Sequence, residues 1–112
     1  MNEYMQVLIS ILTNAKDTLL DRDIKNAYIQ INLSGTDNYV VLKISDNAGG
    51  IESKHIDRIF DPYFTTKHKS MGTGLGLYIS KMIIEKNMNG ILSVKNAKDG
   101  AIFSITMKEA DE

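Results

Sequence analysis

Met5, Leu8, Ile9, Leu12, Ala15 and Leu19 recur at three- and four-residue steps, which predicts an amphipathic helix from about Asn2 to Leu20. The stripe opposite is unusual. Gln6, Ser10, Thr13, Asn14 and Asp17 are neutral or acidic and mostly short, where a plain solvated face carries longer Lys and Glu side chains. On its own this stripe fits a wet surface and a ligand-facing surface equally well. The period then drops to two. Ala27, Ile29, Ile31 and Leu33 alternate on one side of a half-buried strand, and Val40, Leu42 and Ile44 do the same in a return strand from Tyr39 to Ser45.

Beyond Asp46 and a glycine pair, Ser53 is placed to cap a short helix from Lys54 to Phe60, which Pro62 prevents from continuing. The polar, basic stretch Thr65 to Thr73 predicts a loop. A second long helix is expected from about Gly74 to Asn87, with Leu75, Tyr78, Ile79, Met82 and Ile83 inward and Gly90 punctuating its end. Ile91 to Asn96 and Ala101 to Met107 form a second hairpin about Asp99-Gly100. Helix, hairpin, short helix, loop, helix, hairpin is economically packed as an α/β two-layer sandwich, its mostly antiparallel sheet covered by helices on one face.

At 112 residues, 43% hydrophobic and 24% charged, the chain suits one globular domain with a single modest core. A net charge of -1 gives no bulk electrostatic reason to expect nucleic acid or an anionic membrane as a partner. Cysteine is absent, which removes disulfides and thiolate metal sites and is compatible with a reducing cytosol.

The chemistry concentrates in three ordered blocks. Asp46-Asn47-Ala48-Gly49-Gly50-Ile51 sets an acidic residue before a glycine pair. Phe60-Asp61-Pro62-Tyr63-Phe64-Thr65-Thr66-Lys67 follows, and then Gly72-Thr73-Gly74-Leu75-Gly76-Leu77 opens the second long helix. This is not a Walker loop, for the Lys-Ser/Thr ending is missing. Nor is it a dinucleotide fingerprint: Leu77 stands where a glycine belongs, and no strand ends just before the block. No strand with a protein-kinase lysine precedes it either.

Taken with Gln6-Val7-Leu8 through Asn14-Ala15, these blocks resemble the N, first glycine, F and second glycine boxes of the ATP-binding catalytic domain of two-component sensor histidine kinases. These belong to the Bergerat-fold superfamily of gyrase, heat-shock chaperone, histidine kinase and mismatch-repair ATPases. The likeness runs from about Glu3 to Met107, and the short lid, about residues 65–73, is most similar to nitrogen-regulator-type kinases. It implies a single domain over 1–112, incomplete at its N-terminus, with the phosphoacceptor histidine on a separate, absent domain. No residue of this chain is then a catalytic phosphoacceptor; His55 and His68 lie in the wrong places.

The resemblance implies ATP and Mg²⁺ as cofactors and assigns roles by position. Asp46, an acceptor-only carboxylate, suits the donor amino group of adenine. Guanine presents an acceptor there, and an unpaired buried acceptor costs about 1–3 kcal/mol, so ATP is preferred to GTP. Asn14 supplies one oxygen to Mg²⁺, with phosphates and water completing the octahedron. Gly49 and Gly50 allow close backbone approach to the base, and Ile51 lines it. Gly72, Thr73, Gly74, Leu75, Gly76 and Leu77 form the hinge and phosphate-facing helix entry. Lys67, with Lys69 as a weaker substitute, is placed for the γ-phosphate.

Two departures matter. Superfamily hydrolases carry a glutamate general base one turn before the asparagine; this chain has Ser10, which is no base near neutral pH. Many histidine kinases also place Lys or Arg where Asp17 stands. The resemblance therefore implies γ-phosphoryl transfer to a histidine of the same protein, and thence indirectly to a response-regulator receiver, rather than fast hydrolysis. The alternatives are a protein-serine kinase or ATPase of the same superfamily and a non-catalytic scaffold. The expected setting is cytoplasmic, compatible with a membrane-anchored parent, with no direct contact of this domain with membrane. A sheet edge left open on the truncated side predicts a homodimer or swapped assembly.

Overall fold

The computed structural model describes residues 2–36, 38–64 and 75–108. Helix α1 runs from Glu3 to Asp21, begun by Asn2, whose side chain accepts from the Met5 N–H at 2.8 Å. Strands β1 (Ile29–Gly35) and β2 (Tyr39–Asp46) form the first hairpin, and α2 is a single turn, Ser53–Ile56. Helix α3 (Gly76–Met82) passes into a π-helical turn, Ile83–Asn87, before strands β3 (Ile91–Asn96) and β4 (Ala101–Lys108). The strand order is β1-β2-β4-β3 and every neighbouring pair is antiparallel. This is the two-layer α/β architecture expected from the pattern.

Register explains the core. Ile44 pairs with Phe103 and Leu42 with Ile105, while Leu92 stands opposite Ile105 on the other side. All five are buried and lie on one face, under α1 and α3. The sheet's ends are closed by side-chain chemistry. Phe60 meets Phe103 edge-on at 6.2 Å, and the Lys81 ammonium lies 4.8 Å from the Phe60 ring centre while pairing with Glu85 at 3.4 Å.

Several expectations are corrected in detail. The inner stripe of α1 is Val7, Ile11, Ala15 and Leu19, at strict four-residue steps; Met5 and Ile9 are 46% and 45% exposed. The helix is rolled because it leans on α3 and the sheet centre, leaving its far flank unopposed. In the second long helix the buried residues are Ser80, Ile83 and Ile84 instead of Ile79, which is exposed. Strand β1 starts at Ile29, past Ala27, and is not half-buried. Ile31 and Leu33 pair with Ile44 and Leu42 and so point to the core side, yet they are 54% and 70% exposed. The helical layer covers β2, β4 and β3 and reaches β1 only at Ile29, which packs on the core. Ser53 is the first helical residue of α2 instead of its cap, and Glu52 precedes it without a capping bond.

Candidate functional site

Asp46 is the last residue of β2, half-buried. Its Oδ1 accepts from the Ala48 N–H at 3.0 Å and the Ala101 N–H at 3.4 Å. Its Oδ2 has no hydrogen bond among the described residues. One oxygen thus fixes the carboxylate, and the other keeps its lone pairs for a donor from outside. Gly100 fits tightly behind it: a Cβ there would lie 1.9 Å from the Asp46 carbonyl oxygen. The turn between β3 and β4 therefore forms the back wall of the acidic residue.

The following loop crosses Gly49 and Gly50 with φ of 99° and 86°, a left-handed path that favours glycine. Three residues distant in sequence hold it. The Gly49 N–H donates to the Asp99 carbonyl at 3.0 Å. Asn96 grips both sides of Ile51, accepting from its N–H at 2.8 Å and donating to its carbonyl at 2.7 Å. Arg22 Nη1 donates to the carbonyls of Ala48 and Gly50 at 2.7 and 2.8 Å. Asn47 turns the other way, accepting from the Tyr28 N–H and donating to the Asn26 carbonyl.

Helix α1 supplies the floor. Its polar stripe faces the start of α3, where a Cβ on Gly76 would come within 3.8 Å of Ser10 Oγ. Asn14 lies one turn on, about 6 Å along the axis, and Arg22 about 12 Å further, at the glycine loop. The Asn14 backbone carbonyl accepts from the Thr18 hydroxyl at 2.9 Å, while its side-chain amide is half-buried and uncommitted among the described residues. The helix thus carries Asn14 between the acidic loop at one end and the α3 start at the other. Leu75 and Leu77 are half-buried beside Gly76, and Leu77 packs on the core. Lys67, Gly72, Thr73 and Gly74, with the expected lid, lie outside the described residues. Of the aromatic block, Phe60 and Phe64 pack on the core; Tyr63 is exposed, with φ of 66°.

Sequence reasoning passed over Arg22, Asn96, Asp99 and Gly100. Each touches the Asp46 loop from 26 to 54 positions away, a spacing that no short motif contains.

Residues 2–111 match the family model described as histidine kinase-, DNA gyrase B-, and HSP90-like ATPase. Over 108 residues the chain is 39% identical to a two-component sensor of Pseudomonas aeruginosa, PprA, covering 91% of this chain and 11% of that protein. It is 31% identical over 110 residues to the sensor protein FixL of Bradyrhizobium diazoefficiens, covering 98% of this chain and 21% of that one. The chain thus spans about a tenth to a fifth of the length of these relatives. Among solved structures, the catalytic domain of histidine kinase ThkA in a nucleotide-free form superposes with a TM-score of 0.81 at 29% identity, covering 97% of this chain and 69% of that one.

Proposed function

Because the chain belongs to the family of histidine kinase-, DNA gyrase B-, and HSP90-like ATPases, we propose that it is the ATP·Mg²⁺-binding catalytic domain of a sensor histidine kinase. The observation that carries this reading is Asp46, one oxygen anchored by two backbone N–H groups and the other open, at the mouth of a left-handed glycine loop. That is an acceptor suited to the amino group of adenine. The names of the relatives, a two-component sensor and a histidine kinase catalytic domain, agree with it.

In this reading Asp46 and Ile51 hold the base, while Gly49 and Gly50 let the backbone approach it. Gly72, Thr73, Gly74, Leu75, Gly76 and Leu77 face the phosphates, and Lys67 reaches the γ-phosphate. Asn14 fits one coordination position of Mg²⁺. Among the described residues no cluster of three His, Asp or Glu stands ready to hold a metal, so phosphate and water would supply the other ligands. The bound ion would supply charge neutralisation on the phosphates. A histidine nitrogen on a separate domain of the same protein attacks the γ-phosphorus; the bond to the β,γ-bridging oxygen breaks and ADP leaves. The phosphoryl group then passes to an aspartate of a receiver domain. Chemistry of this kind rests on positioning more than on covalent participation by the protein.

Ser10 supports transfer over hydrolysis, because no carboxylate stands on that turn of α1 to activate water. An ATP site also implies the cytoplasm. The uncovered β1 edge, free of charged residues from Ile29 to Gly35, supports self-association of this domain through that strand. The functional test is label transfer. Given γ-labelled ATP and a phosphoacceptor helical-hairpin domain in trans, acid-labile label is expected on the hairpin and none on the chain alone. Sustained ATP turnover by the chain alone would instead favour an ATPase of the same superfamily.

A further inference from the structure

Helix α1 ends in a way that aims one side chain. The Ile24 N–H donates to the Leu19 carbonyl at 3.1 Å and the Asp23 N–H to the Leu20 carbonyl at 3.2 Å. Asp23 takes the left-handed position with φ of 51°. These paired bonds reverse the chain tightly and satisfy the last carbonyls of the helix. Arg22, the residue just before the reversal, is thereby fixed at the helix end, next to the Asp46 loop.

There a single nitrogen, Nη1, spends its two hydrogens on two carbonyls, those of Ala48 and Gly50. They flank Gly49, whose own Cβ, if it had one, would lie 3.5 Å from Nη1. Asp99 and Asn96 hold the Gly49 N–H and both sides of Ile51. The Ala48 and Gly50 carbonyls are among the groups those two leave over. Ala48 is the coupling piece. Its N–H holds Asp46 Oδ1 at 3.0 Å while its carbonyl is held by Arg22 at 2.7 Å. A guanidinium at the end of α1 therefore acts, through one buried residue, on the angle of the carboxylate. A cation at a helix C-terminus has a plainer use in complementing the helix dipole, but that use requires no particular partner, and here two short bonds specify one.

We infer that Arg22 is a positioning residue of the nucleotide pocket: it locks the Ala48–Gly50 backbone so that Asp46 presents its free oxygen to the base. This rests on the nucleotide reading above. Arg22 touches no substrate in this role. It also ties the loop to the helix that carries Asn14, so that base recognition and metal binding share one rigid element.

The test compares wild type with Arg22→Met, which keeps the stem, and Arg22→Lys, which restores a donor. Calorimetry with non-hydrolysable ATP and GTP analogues gives affinity and selectivity, and amide hydrogen exchange reads the loop without nucleotide. Arg22→Met is expected to bind the ATP analogue about tenfold more weakly, the loss of roughly one charged hydrogen-bonding group, and to lose much of its preference over the GTP analogue. Arg22→Lys recovers part of both. Exchange accelerates at Ala48 to Ile51 and is unchanged in the centres of β2 and β4. Wild-type affinity and selectivity in Arg22→Met would overturn the proposal, as would unchanged exchange in the loop. If wild type itself binds no nucleotide, the nucleotide reading falls and the pocket role of Arg22 falls with it, while the exchange result still decides whether Arg22 holds the loop.

Discussion

Replacing Gly100 by alanine strikes the fold and the site through one atom. The added Cβ would sit 1.9 Å from the Asp46 carbonyl oxygen, 2.7 Å from its carbon and 2.8 Å from Oδ1. Ordinary contact begins near 3.4 Å, so the β3–β4 turn and the end of β2 must part by about 1.5 Å. Neither side gives easily. The Gly100 carbonyl accepts from the Ala97 N–H at 2.7 Å, Asp99 holds the Gly49 N–H, and β2 is paired along its length to both neighbours. Overpacking of this kind costs about 1–3 kcal/mol, and weakening one or two hydrogen bonds adds about 1 kcal/mol each. A total near 3 kcal/mol is a large share of the roughly 5–15 kcal/mol that stabilises a domain. At about 4–8 °C per kcal/mol for a domain of this size, the thermal midpoint should fall by about 12–24 °C. The displaced carboxylate should also cost nucleotide binding in protein that is still folded, measured well below the midpoint. Gly35→Ala is the control, because its Cβ would stand 3.6 Å from the Tyr39 carbonyl oxygen, an ordinary contact. Circular dichroism melts and nucleotide titration of both variants decide the matter. If Gly100→Ala melts with wild type and binds like it, the back-wall role of the turn is wrong.

Asp23→Gly should raise the midpoint by a few degrees in the same melts, because a non-glycine residue in the left-handed region costs about 1 kcal/mol and Asp23 makes that turn; a lowered midpoint would contradict it. Light scattering over a wide concentration range should show the wild-type chain self-associating through the β1 edge, and Leu33→Lys should be monomeric, because the charge lands on the most exposed residue of that open apolar face. A wild-type chain that stays monomeric throughout would remove the edge interface.

The hydrophobic period revealed the elements because α1, α3, β2, β3 and β4 each commit one face to the core, and β1 keeps the same alternation although its inner face is open. Ile44, Leu42, Phe103 and Ile105 alternate as the register requires, so strand identity was readable. Rotation was harder to read. Met5 and Ile9 share the helical period as well as Val7 and Ile11 do; only the position of α3 and the uncovered β1 edge decides which pair is buried. The site divided in the same way. Asp46, Gly49, Gly50 and Asn14 sit in local motifs and so stood out as candidates. Arg22, Asn96 and Gly100 serve the same loop through tertiary contacts, and their roles appear only once α1 and the β3–β4 turn are folded against it.

An adenine pocket at Asp46 with a metal ligand at Asn14 is open to calorimetric titration with a non-hydrolysable ATP analogue, with and without Mg²⁺. Saturable, adenine-selective binding is expected, which Asp46→Asn abolishes or weakens at least tenfold and Asn14→Ala makes indifferent to Mg²⁺. A folded wild-type chain that binds no nucleotide, or an Asp46→Asn variant that binds as wild type does, would contradict it.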